Sequence, residues 1–405
     1  MSASAQIAPS TRQFSLKPLM FETFVCTMAV MAFVALAGSI ARVLHLAPWQ
    51  MGLAVTAAGV AWMALAPVWG TLSDRRGRRP IILFGLAGFA VSYALFVLFI
   101  DLALRTTMAP ALAFVGIVLG RGLAGAFYAA VPATSAALVA DHVPPERRAG
   151  AMAAIGASSA AGMVIGPGFA GLLGPTGLSL PLYLIAVLPV IALAVLWRVL
   201  PSHEPQPASG KRAPRLTDAR LRRPLVMGFI AAFGVSVAQI TVGFFALDRL
   251  HLDPGQAANT AGVALATVGV VLVCAQIALR KLNWPVERLI RIGSVVAGVG
   301  FASTVLATAP VMLWASYAVA AFGMGWVYPS ISALAANSVE AHEQGAAAGA
   351  VAAAQGLGII LGPVLGTAIY VVDNGLPYAL IAIMLLLSAI WCGRGTGQTR
   401  YFGGR

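Results

Sequence analysis

The chain has 405 residues, 60% of them hydrophobic and only 10% charged, with a mean hydropathy of +0.88. Ordinary soluble domains carry about 25% charged residues. A net charge of +13 would, in a soluble protein, point to nucleic acid. Here the basic residues fall in short stretches between long apolar runs, which is a pattern of membrane topology and leaves no nucleic-acid partner to expect. Cys26, Cys274 and Cys392 lie in or at the end of apolar runs without metal-ligand spacing, so neither disulfide nor metal is expected.

The apolar runs predict an all-α polytopic membrane protein. Its first six spans fall at about 21–41, 49–70, 81–100, 109–139, 150–173 and 179–200. The other six fall at about 224–247, 256–279, 292–309, 311–338, 345–372 and 376–393. Arg12 and Lys17 precede the first run and Ala35-Leu36-Ala37 offers small residues, yet so many spans follow that an uncut first helix is expected. The longest runs exceed a minimal span, so tilt or extension beyond the bilayer is expected. Pro201 to Arg223, rich in Pro, Ser and charge, reads as a solvated linker. The chain thus divides into a six-helix half over 1–200, a cytoplasmic linker over 201–223 and a second six-helix half over 224–405. With both termini inside, every basic residue except Arg42, Arg105, Arg121 and Arg249 falls on the cytoplasmic side.

The halves repeat. Gly162-Met-Val-Ile-Gly166-Pro167 in span five matches Gly358-Ile-Ile-Leu-Gly362-Pro363 in span eleven, and the Pro132 region of span four matches that of Pro329 in span ten. Glycine and proline at matching places in two halves predict a two-fold repeat transporter with its site at the repeat interface.

Between Met51–Trp69 and Ile81–Ile100, both free of charge, runs Gly70-Thr-Leu-Ser-Asp74-Arg75-Arg76-Gly77-Arg78-Arg79-Pro80. Four arginines and an aspartate cannot sit in lipid, and they mark a cytoplasmic surface. This run resembles the loop between the second and third helices of major facilitator superfamily transporters. The resemblance implies that Asp74, Arg75 and Arg78 lock the outward-open state against the start of span eleven near Gly345, with Gly70 and Gly77 permitting tight packing and Arg79 completing the motif. A positive helix start would favour Asp74.

Arg121 is the one basic residue deep within a span, where a charge costs about 2.5 kcal/mol or more. Ile117-x-x-x-Arg121-x-x-x-Gly125 resembles the fourth-helix motif of drug:proton antiporters, in which the arginine is associated with proton coupling; Ala124 replaces the usual glutamine. Arg121 bonding backbone carbonyls at a kink is the purely structural alternative. Gly162, Gly166, Pro167 and Gly171 resemble the exporters' fifth-helix motif, and Gly358, Gly362 and Pro363 are its second copy. A packing stripe of small residues is the plain alternative.

Such antiporters often carry a carboxylate in mid first helix. Here that helix holds only Glu22 near its start, which reads as a solvated interfacial carboxylate, while Asp101, Asp141 and Asp248 fall at span ends. Proton coupling would rest on Glu22, Asp74 or a group near Arg121. Tyr128, Gln239, Phe244, Gln276, Trp326, Tyr328 and Gln355 are the candidate cavity lining, a set suited to an amphipathic solute. The five histidines fall at span ends, loops or the linker, so no membrane enzyme is expected. The resemblance implies a tetracycline-efflux-like antiporter of the bacterial inner membrane, expected as a monomer, with the proton as coupling ion and no cofactor. An importer or exporter of one metabolite or siderophore is the alternative.

Overall fold

The computed structural model describes residues 14–200, 218–282, 284–340 and 343–393, and among them every regular element is a helix. The first half holds α1 (Lys17–Val43), α2 (Pro48–Arg76), α3 (Arg78–Arg105), α4 (Pro110–Tyr128), α5 (Ala130–His142), α6 (Pro145–Leu173) and α7 (Leu180–Val199). The second holds α8 (Arg222–Asp248), α9 (Pro254–Lys281), α10 (Val286–Thr304), α11 (Pro310–Asn337), α12 (Gln344–Tyr370) and α13 (Leu376–Gly393). Ten segments among the described residues are long and apolar enough to cross a bilayer, α4 and α5 counting as one. The remaining two are α10, which carries Glu287, Arg288 and Arg291 at its start, and the shorter apolar α13. Most of the predicted linker, residues 201–217, lies outside the described residues, as do both chain ends.

Two local departures have simple causes. The predicted basic loop is almost entirely helical: α2 runs to Arg76, α3 starts at Arg78, and the turn between them is Gly77 alone at φ 92°. Only glycine takes that conformation without strain. The fourth span is broken at Ala129, because Pro132 has no N–H to offer the Tyr128 carbonyl and its ring crowds that carbonyl.

Packing repeats in the two halves. α1 lies on α6 as α8 lies on α12; α2 lies on α4 as α9 lies on α11; α3 lies on α7 as α10 lies on α13. The halves meet through α2 against α12, α6 against α9, and α1 against α8 and α9. α1 is therefore surrounded by protein, with nearly all of its apolar stretch buried.

Candidate functional site

The inter-half contacts concentrate at the end of the bundle opposite the arginine-rich turn. A Cβ on Gly38 would lie 2.7 Å from the Gly243 carbonyl carbon, and one on Gly171 would lie 2.7 Å from the Cα of Gly262. Gly52 lies against the Pro363 carbonyl and the Thr367 hydroxyl, Thr56 Oγ1 donates to the Ile360 carbonyl at 2.7 Å, and Asn259 Nδ2 donates to the Gly171 carbonyl at 3.2 Å. An ion pair joins Arg42 at the end of α1 to Asp248 at the end of α8, and the Tyr370 hydroxyl of α12 donates to Asp248 Oδ2 at 3.0 Å. Toward the arginine-rich end the halves part. Gly150 and Gly156 on α6 and Gly345, Gly349 and Gly356 on α12 have no neighbour within 4 Å of a Cβ built on them. The molecule is closed at one end and open at the other.

Within this opening lies a cavity of about 600 Å³, lined from the first half by Met31 and α6 and from the second by α8, α9, Phe301 and α11. Of the seven residues expected to line a cavity, Gln239, Gln276 and Tyr328 do so. The other four have different neighbours. Phe244 is fully buried beside Tyr370, since α8 meets α1 on that face. Trp326 donates through Nε1 to the Ala275 carbonyl at 3.0 Å and packs on Trp284 and Phe322. Gln355 lies beside Gly228 on α8, and Tyr128 reaches Thr27 at 3.5 Å.

Glu22 is a correction. It is 1% exposed rather than solvated, because the enclosure of α1 extends to its first turns. Its Oε2 accepts from Thr23 Oγ1 at 3.2 Å, while Oε1 is sealed with no hydrogen-bond partner among the described residues. Cys26 lies one turn along the same helix, followed by Thr27, which bridges Tyr128 and Ser159 Oγ at 3.2 Å. Arg121 is 2% exposed, with its guanidinium carbon 4.9 Å from the Phe33 ring centre and Nε without a partner. It forms no ion pair with a described carboxylate and no bond to a described carbonyl, so neither an acidic partner nor the kink alternative is present in this conformation.

In the arginine-rich turn Arg78 pairs with Asp74, reaches Asp141 Oδ2 through Nε at 3.1 Å and Ser73 Oγ through Nη1 at 2.8 Å. Arg79 donates to the Trp197 carbonyl at 2.7 Å, and Arg75 is exposed. All these contacts lie within the first half. Gly70 has no neighbour within 4 Å, so the tight packing expected of it is absent while the start of α12 stands apart; Gly77 serves by its positive φ. Gly162 and Gly166 press α6 onto Phe24 and Met28 of α1, and Gly358 and Gly362 press α12 onto Phe229 and Ser236 of α8. Gly171 then carries the α6 stripe across to α9. Pro167 and Pro363 sit inside their helices at equivalent places.

The residues that sequence reasoning missed are Arg42, Asp248 and Tyr370, the first two read only as markers of a surface. A signal was present: Leu44-His45-Leu46-x-Pro48-x-Gln50 recurs as Leu250-His251-Leu252-x-Pro254-x-Gln256, and the same offset relates Arg42 to Asp248. The two histidines share a φ of 54°. The ion pair thus joins equivalent positions of the two halves.

Comparison with known proteins agrees with this architecture. The chain is 24% identical to Multidrug resistance protein 2 of Bacillus subtilis (strain 168) over 393 residues, covering 92% of this chain and 94% of the relative. It is 29% identical to the class C tetracycline resistance protein of Escherichia coli over 343 residues, covering 80% and 81%. Its fold matches the crystal structure of a bacterial homologue of the human lysosomal transporter Spinster, inward-facing and occupied, with a TM-score of 0.74, 14% identity and coverage of 94% and 96%. The profile of the Major Facilitator Superfamily matches residues 19–307 and 283–397. With that match running over nearly the whole of a twice-repeated helical bundle, the chain belongs to the major facilitator superfamily.

Proposed function

We propose that the protein exports an amphipathic organic compound from a bacterial cytoplasm across the inner membrane, in exchange for protons, by alternating access. The observation that carries this reading is the cavity between the halves, mostly apolar, closed at one end and open at the end with the arginine-rich turn. Arginine bias makes the open end cytoplasmic, so the conformation is inward-facing with both termini inside. The names of the multidrug and tetracycline resistance relatives favour export over import.

In this reading Glu22 carries the proton. It is a carboxylate buried in a helix that touches both halves, and its sealed Oε1 can take up a proton without breaking an existing bond. Enclosed by protein in this conformation, it would exchange its proton with the cytoplasm only when water reaches it. Arg121 stays charged and cannot be the carrier. It would bias the first half electrostatically, held over Phe33. In the outward-facing state the parted cytoplasmic ends close, and Asp74 meets the positive start of α12. The test is uptake of a compound panel into inverted vesicles with and without an imposed pH gradient. Accumulation that needs the gradient supports antiport. Gradient-independent equilibration of one metabolite would replace it with the facilitative or metabolite-specific alternative.

A further inference from the structure

The cavity has two unlike walls. The first-half wall, from α6, is built of Ala157, Ala160, Ala161, Met163 and Val164 and is wholly apolar. The second-half wall presents Gln239 from α8, Gln276 from α9 and Tyr328 from α11. These side chains make no hydrogen bond to another described residue, so two amides and a hydroxyl are available to a solute. Tyr317, also at the lining, is already engaged: its hydroxyl donates to the Ala238 carbonyl at 2.7 Å. No Asp, Glu, Lys, Arg or His is among the described lining residues. Glu22 and Arg121, the buried charged groups of the first half, are sealed at 1% and 2% exposure and do not line it.

A cation held in this cavity as the parted ends close over it would shed water and meet no counter-charge among the described lining residues, and burial of an unpaired charge is strongly unfavourable. An uncharged solute loses far less, and its polar edge finds amide donors, amide acceptors and a hydroxyl along one wall. Its apolar body meets alanine and polarizable methionine on the other. We propose that this cavity selects uncharged amphipathic solutes, bound with their polar edge on Gln239, Gln276 and Tyr328, and discriminates against lipophilic cations. This rests on the efflux reading only in taking the cavity as the substrate site. It has an energetic corollary. One uncharged solute leaving for one proton entering moves one positive charge inward, so membrane potential as well as the pH gradient would drive the cycle. One-for-one exchange of a monovalent cation would be electroneutral.

The discriminating probes are triphenylphosphine oxide, uncharged with a single strong acceptor, and the similarly shaped cation tetraphenylphosphonium. Equilibrium binding of each to the purified full-length protein in detergent should favour the oxide by at least about tenfold, a difference of about 1.4 kcal/mol. Gln276→Glu and Gln239→Glu, each placing a carboxylate on the polar wall, should reverse or abolish that preference. Gln276→Leu should weaken the oxide alone. Equal or tighter binding of the cation to the wild type, no detectable binding of the oxide, or an unchanged preference in both folded carboxylate variants would overturn the proposal. Flux in proteoliposomes separates the two levels. If the oxide binds as expected but neither a pH gradient nor a potassium diffusion potential moves it, the efflux reading fails while the chemistry of the site stands.

Discussion

Asp248→Asn is the most direct perturbation of the inter-half contact. Asp248 holds Arg42 across the closed end and accepts the Tyr370 hydroxyl, so its charge stabilises only conformations in which that end is shut. The side chains of Arg42 and Asp248 are 49% and 26% exposed, which limits the ion pair to about 0.2–1 kcal/mol. A hydrogen bond from Tyr370 to the charged carboxylate contributes about 1.5–3 kcal/mol more, much of which the amide keeps. Their loss should shift the closed-to-open ratio by about 1–2 kcal/mol, or about 5- to 30-fold. Spin labels at Leu112 and Leu306, both exposed and on opposite halves, would report it as growth of a longer-distance population in a background free of native cysteine. Because the paired positions are equivalent, the swap Arg42→Asp with Asp248→Arg should restore much of the closed population. A distance distribution unmoved by Asp248→Asn, or a swap worse than either single change, would refute the assignment of this pair as a closing contact.

Three further outcomes are expected. Asp74→Asn should leave expression near normal and lower the transport rate, because Arg78 keeps Asp141 while the proposed contact of the Asp74 charge with the start of α12 would be lost; wild-type rates in vesicles would exclude a gating role for Asp74. Glu22→Gln should abolish pH-gradient-driven accumulation yet retain solute exchange, read as counterflow in vesicles held at equal pH on both sides; retention of gradient-driven uptake would move the proton site elsewhere. Arg121→Ala should remove substrate-induced proton movement, whereas Arg121→Lys, which keeps a charge near Phe33 without the planar fork, should keep a partial rate; full coupling in the alanine variant would make Arg121 structural.

The helices and their repeat were legible because a bilayer imposes long uninterrupted apolar runs, and the Gly77 turn was legible because its glycine sits between charges that cannot enter lipid. Burial of Glu22 was not. Its neighbours in sequence, Lys17 and the chain start, resemble any interfacial segment, and only the position of α1 between both halves encloses it. Trp326 and Phe244 pack on neighbouring helices and not on the described cavity for a related reason. An aromatic ring in a span has equal reason to face a cavity or a neighbouring helix, and the choice lies in rotations about the helix axis that a broad apolar surround does not encode. The Arg42–Asp248 pair was hidden by distance along the chain, although its flanking repeat was in plain view.

At the closed end the halves touch at three places through glycine: Gly38 on Gly243, Gly171 on Gly262, and Gly52 on the carbonyl of Pro363. Surfaces of bare main chain have no protruding knobs to withdraw from holes, so parting them need not wait on rotamer changes in a neighbouring helix. Glycine also has no side-chain rotamers to release, so separation there yields little of the disorder that usually accompanies opening of a packed interface. A face assembled in this way closes firmly while remaining quick to reopen, as a device that must reverse itself in every cycle requires.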